Sequence, residues 1–452
     1  MRDLSETVPH PAIRFALDRS VGDIPEAALE AAATLLLDTL GVCIAAAPME
    51  AGRIARDTAV ALYGAGTPDL QRTLLFDGRQ ASDAGAAFAA ATQIDNLDAH
   101  DGYNPTKGHI GCTAVPALVV SAEPMPDLSG RDALAALVVA YEVAGRAGIA
   151  LHASVSDYHT SGAWNALGVA ALAARLRGTT PEVLRHALGI AEYHGPRSQM
   201  MREIANPTML HDGSGMGALV GLSALTMAEL GFTGAPAITV EAEDAAPHWA
   251  DLGALWQVGL QYIKPYPICR WAHAAIDAAR ALRDAQGIAP ENISKVTIRS
   301  FQNAVQLFPG MPETTSQAQY SLSFAVAAML VHGRIGLPEI SGRGLTDPAV
   351  VAMHARIDVA EAPEHEARYP EGRWADVTLR LTDGTILVSG DVHAHGGPEC
   401  PMPRAEVIAK FEAFAGPVLG DARMAAIRDS ALALPGDGMR FEDLARHLRA
   451  AP

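Results

Sequence analysis

A mainly α-helical protein, with an α+β unit inserted before its last helices, is what the sequence predicts. Three observations carry that prediction. Hydrophobic residues make up 49% of the 452-residue chain but aromatics only 5%. A core so poor in rings and so rich in alanine and glycine suits close-packed helices better than a β-sandwich, which draws on β-branched and aromatic side chains. Apolar residues recur at helical spacing through most of residues 24–231. Beyond residue 266 the texture changes to alternating apolar and polar runs about an Asp-Gly turn.

The elements follow in order. Residues 24–47 form the first predicted helix, with Pro25 tolerated in its first turn. Further helices are predicted over 82–96, 113–122, 131–151, 163–177, 181–192 and 214–231. Glycines 215, 217 and 221 in the last permit close backbone approach, at about 1 kcal/mol each relative to alanine. No convincing strand is expected before residue 263. The Pro-broken segment 264–271 marks a boundary. After it come a helix over 272–286, a strand over 292–301, a helix over 316–332 and a hairpin over 375–392 turning at Thr382-Asp383-Gly384. Helices return over 404–414, 421–433 and 440–449. The expected division is a helical domain (1–265), an α+β domain (266–403), and C-terminal helices (404–452) that rejoin the first domain.

Composition narrows the function. The net charge of −17 argues against nucleic acid or an anionic membrane as partner, since both need a positive surface. Residues 132–151 are the longest apolar candidate for a membrane span, but they carry Glu142 and Arg146 and read as a core helix. Four scattered cysteines without a CxxC suggest neither a disulfide framework nor a zinc site. The first fifteen residues lack the apolar run of a signal peptide. A reducing, cytoplasmic setting is therefore expected.

Four polar clusters interrupt the helices. Residues 95–109 hold Asp95, Asp98, His100, Asp101, Tyr103, Lys107 and His109 in a loop between two helices, where sites are commonly built. Residues 156–164 hold His159, a candidate general base by its near-neutral pKa. Residues 201–215 hold His211 and Asp212 ahead of a glycine-rich helix start; Asp212 is as readily a simple cap. Residues 264–273 hold Lys264, Cys269, Arg270 and His273 between stiffening prolines, a plausible anion clamp at a domain boundary. His393 and His395 lack a third ligand at metal spacing, and no metal site is expected.

Taken in order, these motifs resemble the MmgE/PrpD family. They run from the Asp-x-x-Asp loop ending Lys107-Gly108-His109, through Tyr158-His159-Thr160 and the Lys264-x-Tyr-Pro-x-Cys269-Arg270-x-x-His273 segment, to Gln317-Ala318-Gln319-Tyr320. The resemblance spans about residues 5–450. It implies a helical domain made from both chain ends, an inserted lid domain, homodimers and no cofactor. It also implies chemistry on small di- or tricarboxylates, most simply a hydro-lyase of the 2-methylcitrate dehydratase kind. The alternatives are a decarboxylase of the cis-aconitate kind or an epimerase. From another class altogether, a non-catalytic carboxylate-binding protein fits the same residues.

Carried over by position, Asp98, His109, His159 and Lys264 become the catalytic set. Lys107, Arg270, His211, His100, Tyr103, Cys269 and His273 become substrate contacts. His159 and His109 would be the acid/base pair, Asp98 would orient a histidine, and Lys264 with Arg270 would clamp carboxylates. The chain departs from the family where a Ser or Thr usually follows the acids, replaced here by Gly102. His211 stands where a lysine is usual, and Cys269 where a histidine is. A tyrosine that some members carry falls near Gln306.

Overall fold

The computed structural model describes residues 9–452; the first eight residues of the expected first domain lie outside the described residues. The first domain contains helices α1 (Pro11–Asp18), α2 (Glu26–Ala46), α3 (Glu50–Leu62), α4 (Asp83–Asp95), α5 (Gly111–Ala122) and α6 (Gly130–Ser154). These are followed by α7 (Gly162–Arg177), α8 (Pro181–His194), α9 (Met200–Ala205), α10 (Ser214–Glu229) and the single turn α11 (Ile238–Glu241). Helices α6, α7, α10 and α4 pack in succession at its centre. The glycines explain how closely. A Cβ at Gly221 would lie 2.6 Å from the Ala166 carbonyl oxygen, and one at Gly217 would lie 2.8 Å from the Gly162 backbone. Helices α7 and α10 therefore meet backbone to backbone, and alanine at either position would push them apart.

Two helices, Glu26–Ala46 and Gly130–Ser154, are long and apolar enough to cross a membrane by length and composition, and both are largely buried inside the protein. One expectation fails here. A short antiparallel hairpin, β1 (Gln71–Thr73) with β2 (Gln80–Ser82), lies in the stretch read as free of strands. Each strand has only three residues, too few for an alternation to register.

The second unit begins with α12 (His273–Gln286). Strand β3 (Ile293–Ser300) pairs in parallel with β4 (Ile357–Glu361) and antiparallel with β5 (Trp374–Leu381), with Ile298 opposite Val377. The Asp383-Gly384 turn returns β5 into β6 (Ile386–Val388), and β7 (Val392–His393) pairs with the start of β5. Gly384 takes φ +91°, which a side chain would resist. Strand β4 was not foreseen; its mixed burial hides the period. The expected helix 316–332 breaks in two, α14 (Thr315–Gln319) and α15 (Leu322–His332), with α13 (Gln302–Val305) a single turn before them. The expected helix 440–449 shrinks to Glu442–Ala445.

The helix Arg404–Leu419 runs back onto α2, where Phe411 covers Gly41; a Cβ there would sit 2.9 Å from the Phe411 ring. The chain's end thus packs on the first domain. The fold is mainly α, in two units with a crevice between them.

Candidate active site

The loop after α4 is pinned from both sides. Gly102 exchanges two backbone hydrogen bonds with Tyr262, at 2.9 and 2.8 Å. A Cβ at position 102 would lie 2.2 Å from the Tyr262 ring, so the Ser or Thr usual in this loop has no room here. Among the described residues, four non-glycine residues have positive φ, and three of them (Asp98, Lys107 and His211) belong to the site region. A left-handed residue of this kind costs about 1–2 kcal/mol, and such strain gathers where a side chain must be aimed.

Asp98 is aimed at Lys264. The ammonium donates to Asp98 Oδ1 at 2.5 Å and to the Asp98 carbonyl oxygen at 3.1 Å, with Lys264 fully buried. Burial works against its charge, yet Asp98 and Tyr262 outweigh burial and hold it above the usual lysine range. Lys264 and Tyr262 alternate on an extended segment, which puts both on one side. Both line the same crevice.

His109 is oriented by a bond from Nδ1 to the Asp101 carbonyl oxygen at 2.7 Å. A carbonyl can only accept, so Nδ1 carries the proton and Nε2 is left as a base. Nε2 lies 3.7 Å from Asp212 Oδ2. Burial, with Lys264 adding to it, pushes His109 down to about 3, so the imidazole is neutral near pH 7. Asp212 moves the other way, raised chiefly by burial. Its Oδ1 accepts from the Ser161 hydroxyl at 2.5 Å and from the Ser161 N–H at 3.2 Å. Ser161 Oγ in turn accepts from the His109 N–H at 3.0 Å. Asp212 is therefore more than a helix cap: it stands opposite the base on a fixed hydroxyl.

The remaining walls are cationic and phenolic. Lys107 lies 4.6 Å from the centre of the Tyr158 ring. Arg270 lies 4.6 Å from that of Tyr262 and donates to the carbonyls of Ala394 at 3.0 Å and His395 at 2.5 Å. Neither cation has a carboxylate within 4.0 Å among the described residues. Cys269 and Tyr320 complete this wall. Burial pushes the Cys269 thiol up to about 12 and the Tyr320 phenol well above its ordinary value, so both stay protonated.

Of the expected site residues, Asp98, Lys107, His109, Lys264, Cys269 and Arg270 line one crevice. His100 and His211 are buried beside it. His100 meets the His109 ring edge-on at 4.6 Å and has Asp95 Oδ1 3.9 Å from its Nε2, His211 lies 5.6 Å from the Tyr320 ring, and the ring nitrogens of both have no hydrogen-bond partner among the described residues. Three residues stand apart. His159 does not face the crevice: its ring stacks on His152 at 6.4 Å, and the charges that act on it are Arg197 and Asp157. Tyr158 takes the crevice position instead. His273 bonds the Ile268 carbonyl at 2.9 Å, at the start of α12. Tyr103 sits beside Gly145, near Arg146 and Glu142.

The sequence reading missed Tyr158, Tyr262 and Arg373 as lining residues and gave Asp212 only a capping role. Tyr320 was quoted as a motif, while the phenol was sought near Gln306. The break between α14 and α15 is what turns Tyr320 inward, and no periodicity signals it.

Asp98, His100 and His109 could each offer one ligand atom to a metal, all within 4.8 Å of one another. A divalent ion there would have to displace the Lys264 ammonium from Asp98. A larger groove nearby is lined by Glu50, Glu313, Met49 and Met209 and, among the described residues, has no cation in its wall. It would repel an anion. The interdomain crevice, lined by Lys107, Lys264, Arg270 and Arg373, is the place for charge.

A two-domain fold with a buried lysine, a neutral imidazole and unpaired cations in the crevice describes an enzyme-like site for an organic anion. The MmgE/PrpD N-terminal domain matches residues 13–248 and the MmgE/PrpD C-terminal domain residues 266–434. The chain belongs to the MmgE/PrpD family. The second match runs past residue 404, into the helices that pack on the first domain. The human protein named cis-aconitate decarboxylase is 24% identical over 430 residues, 88% of this chain and 86% of that one. Its Aspergillus terreus namesake is 23% identical over 93% of this chain and 91% of that one. The 2-methylcitrate dehydratase of Cupriavidus necator is 26% identical over 27% of each.

Proposed function

We propose that the chain is a lyase acting on a small di- or tricarboxylate in the interdomain crevice, with decarboxylation of a cis-aconitate-like acid the better supported form. The relatives named for that reaction match along 88–93% of the chain, whereas the dehydratase matches along 27%. The observation that carries the reading is Lys264. It is a fully buried ammonium that faces a crevice shared with a neutral imidazole and with Lys107, Arg270 and Arg373, which lack carboxylate partners among the described residues.

The chemistry follows from charge. When CO₂ leaves, the bonding pair stays on carbon and spreads toward a neighbouring carboxylate. A buried ammonium aimed there stabilises that charge far better than water does, because the donor is already in place. Charge-assisted bonds from Lys107 and Arg270 hold the other carboxylates. The carbon then takes a proton. Asp212, whose carboxyl burial shifts toward its protonated form, is the candidate donor from the wall opposite His109. Dehydration would use the same groups in another order: His109 takes the α-proton and Asp212 protonates the departing hydroxyl. The partial match to a dehydratase keeps that second reading.

The crevice is narrow between the two units, so entry of substrate would be eased by movement of the α+β unit, as closing lids do. Homodimerisation in a reducing cytoplasm belongs to the same reading. The test is incubation with cis-aconitate and with 2-methylcitrate, following CO₂ release and alkene absorbance separately. CO₂ from cis-aconitate is the expected result. Alkene formation from 2-methylcitrate without CO₂ would favour the hydro-lyase. Tight binding with no turnover of either would leave a binding protein.

A further inference from the structure

We propose that Arg373, supplied by the α+β unit, is a specificity residue that binds one carboxylate of the substrate and makes the site select a tricarboxylate over a dicarboxylate. The inference rests on the reading above. Arg373 immediately precedes β5, in an irregular stretch that no sequence motif marks.

Its surroundings are unusual for a buried guanidinium. Arg373 is 2% exposed and lines the crevice with Lys107, Arg270 and Lys264. Among the described residues its Nη1 donates only to the carbonyls of Pro370 and Gly372, and its Nε has no hydrogen-bond partner. No carboxylate lies within 4.0 Å among the described residues. Two buried arginines outside the crevice show other solutions. Arg146 is paired with Glu142 at 2.5 Å and Asp251 at 2.8 Å. Arg72 gives its bonds to three carbonyls. Removing a guanidinium from water without a counter-charge is costly unless a ligand supplies one.

The fork is also held in place. It stands 5.0 Å from the centre of the Tyr369 ring, which stacks on Phe301 at 4.6 Å with the planes 12° apart. A guanidinium fixed this way presents paired donors in the geometry a carboxylate accepts. Three cations without carboxylate partners (Lys107, Arg270 and Arg373) thus share one small crevice, in a chain of net charge −17. Their mutual repulsion is relieved when an anion of matching charge enters. Because Arg373 comes from the α+β unit and Lys107 from the helical one, that anion would also draw the two units together.

The probes are tricarballylate and glutarate, which differ only by the central carboxylate. Calorimetry on the wild-type protein should show tricarballylate bound at least about tenfold more tightly than glutarate. In Arg373→Gln the preference should fall to about threefold or less, with glutarate affinity little changed. Retention of the full preference would overturn the proposal, as would equal weakening of both probes. Should Arg373→Gln fail to fold, Arg373→Lys keeps the charge and loses the fork. It should lower the preference by about threefold or more, and an unchanged preference counts against the assignment. Turnover of cis-aconitate by a wild-type protein that does not distinguish the probes would sink this inference and leave the lyase reading standing. Probe selection through Arg373 without any turnover would do the reverse.

Discussion

Two buried lysine–aspartate pairs hold the same loop, and they are not alike. Lys264 bonds Asp98 at 2.5 Å and the Asp98 carbonyl oxygen at 3.1 Å. Lys410 bonds Asp38 at 2.6 Å and the carbonyl oxygen of the next residue, Ala99, at 2.7 Å. Lys264 faces the crevice; Lys410 comes from a C-terminal helix and is sealed behind the loop. Their charges respond in opposite senses. Lys264 is held above its ordinary range despite burial, whereas burial outweighs Asp38 and pulls Lys410 below. Asp38 is itself raised, chiefly by burial. The same pair of residue types therefore serves as a charge for substrate in one place and as a tether in the other.

Substitutions can break that comparison. Lys264→Met should lower kcat/KM for the proposed substrate by about 10³-fold, near the upper range for losing one preorganised donor, while the far-UV circular dichroism stays native. Unchanged kcat/KM would remove Lys264 from the chemistry. His109→Gln should cost about 10²–10⁴-fold in kcat, the range for a general acid or base. Lys410→Met should act on stability: about 3–5 kcal/mol lost by urea denaturation, because Asp38 is left buried without its partner. The double variant Asp38→Leu/Lys410→Met should recover much of it. A larger loss of activity than of stability would mean that the tether also takes part in catalysis.

The pH dependence sharpens the picture. His109 titrates near 3 folded against 6.5 unfolded. Its contribution to stability is complete above pH 6.5 and is lost as pH falls from there toward 3, by about 1.4 kcal/mol per unit. Asp101 runs oppositely, raised by burial to about 7, so its contribution is present below 3.8 and is lost as pH rises through 7. The two cancel between about pH 4 and 6.5 in the intact protein. His109→Gln removes one partner. Its stability relative to wild type should therefore rise as urea melts are moved from pH 6.5 to 4.5. The smallest effect is expected from His159→Gln, less than about tenfold in kcat, since that ring lies outside the crevice. A loss matching that of His109→Gln would show that the ring turns inward in the working enzyme.

Much of this was legible in the residues. The helical texture, the Asp-Gly hairpin and the clusters at 95–109 and 264–273 were read from spacing and composition, and the two clusters supply seven crevice residues, six of them expected at the site. The gaps have physical causes. His159 and Tyr158 are neighbours on the chain, and only tertiary packing decides which one faces inward. Tyr320 turns inward through a helix break that its apolar surroundings conceal. Arg373 sits in an irregular stretch, where no period exists to read. His273, expected at the site, is buried one turn beyond it because α12 begins there.

A positive crevice inside so negative a molecule bears on encounter rates. A free polycarboxylate diffusing toward this surface is repelled at long range before the crevice attracts it at short range. Moderate salt, which shortens the reach of the outer field to about 10 Å at 0.1 M, should speed association rather than slow it, until salt anions begin to occupy the cations themselves.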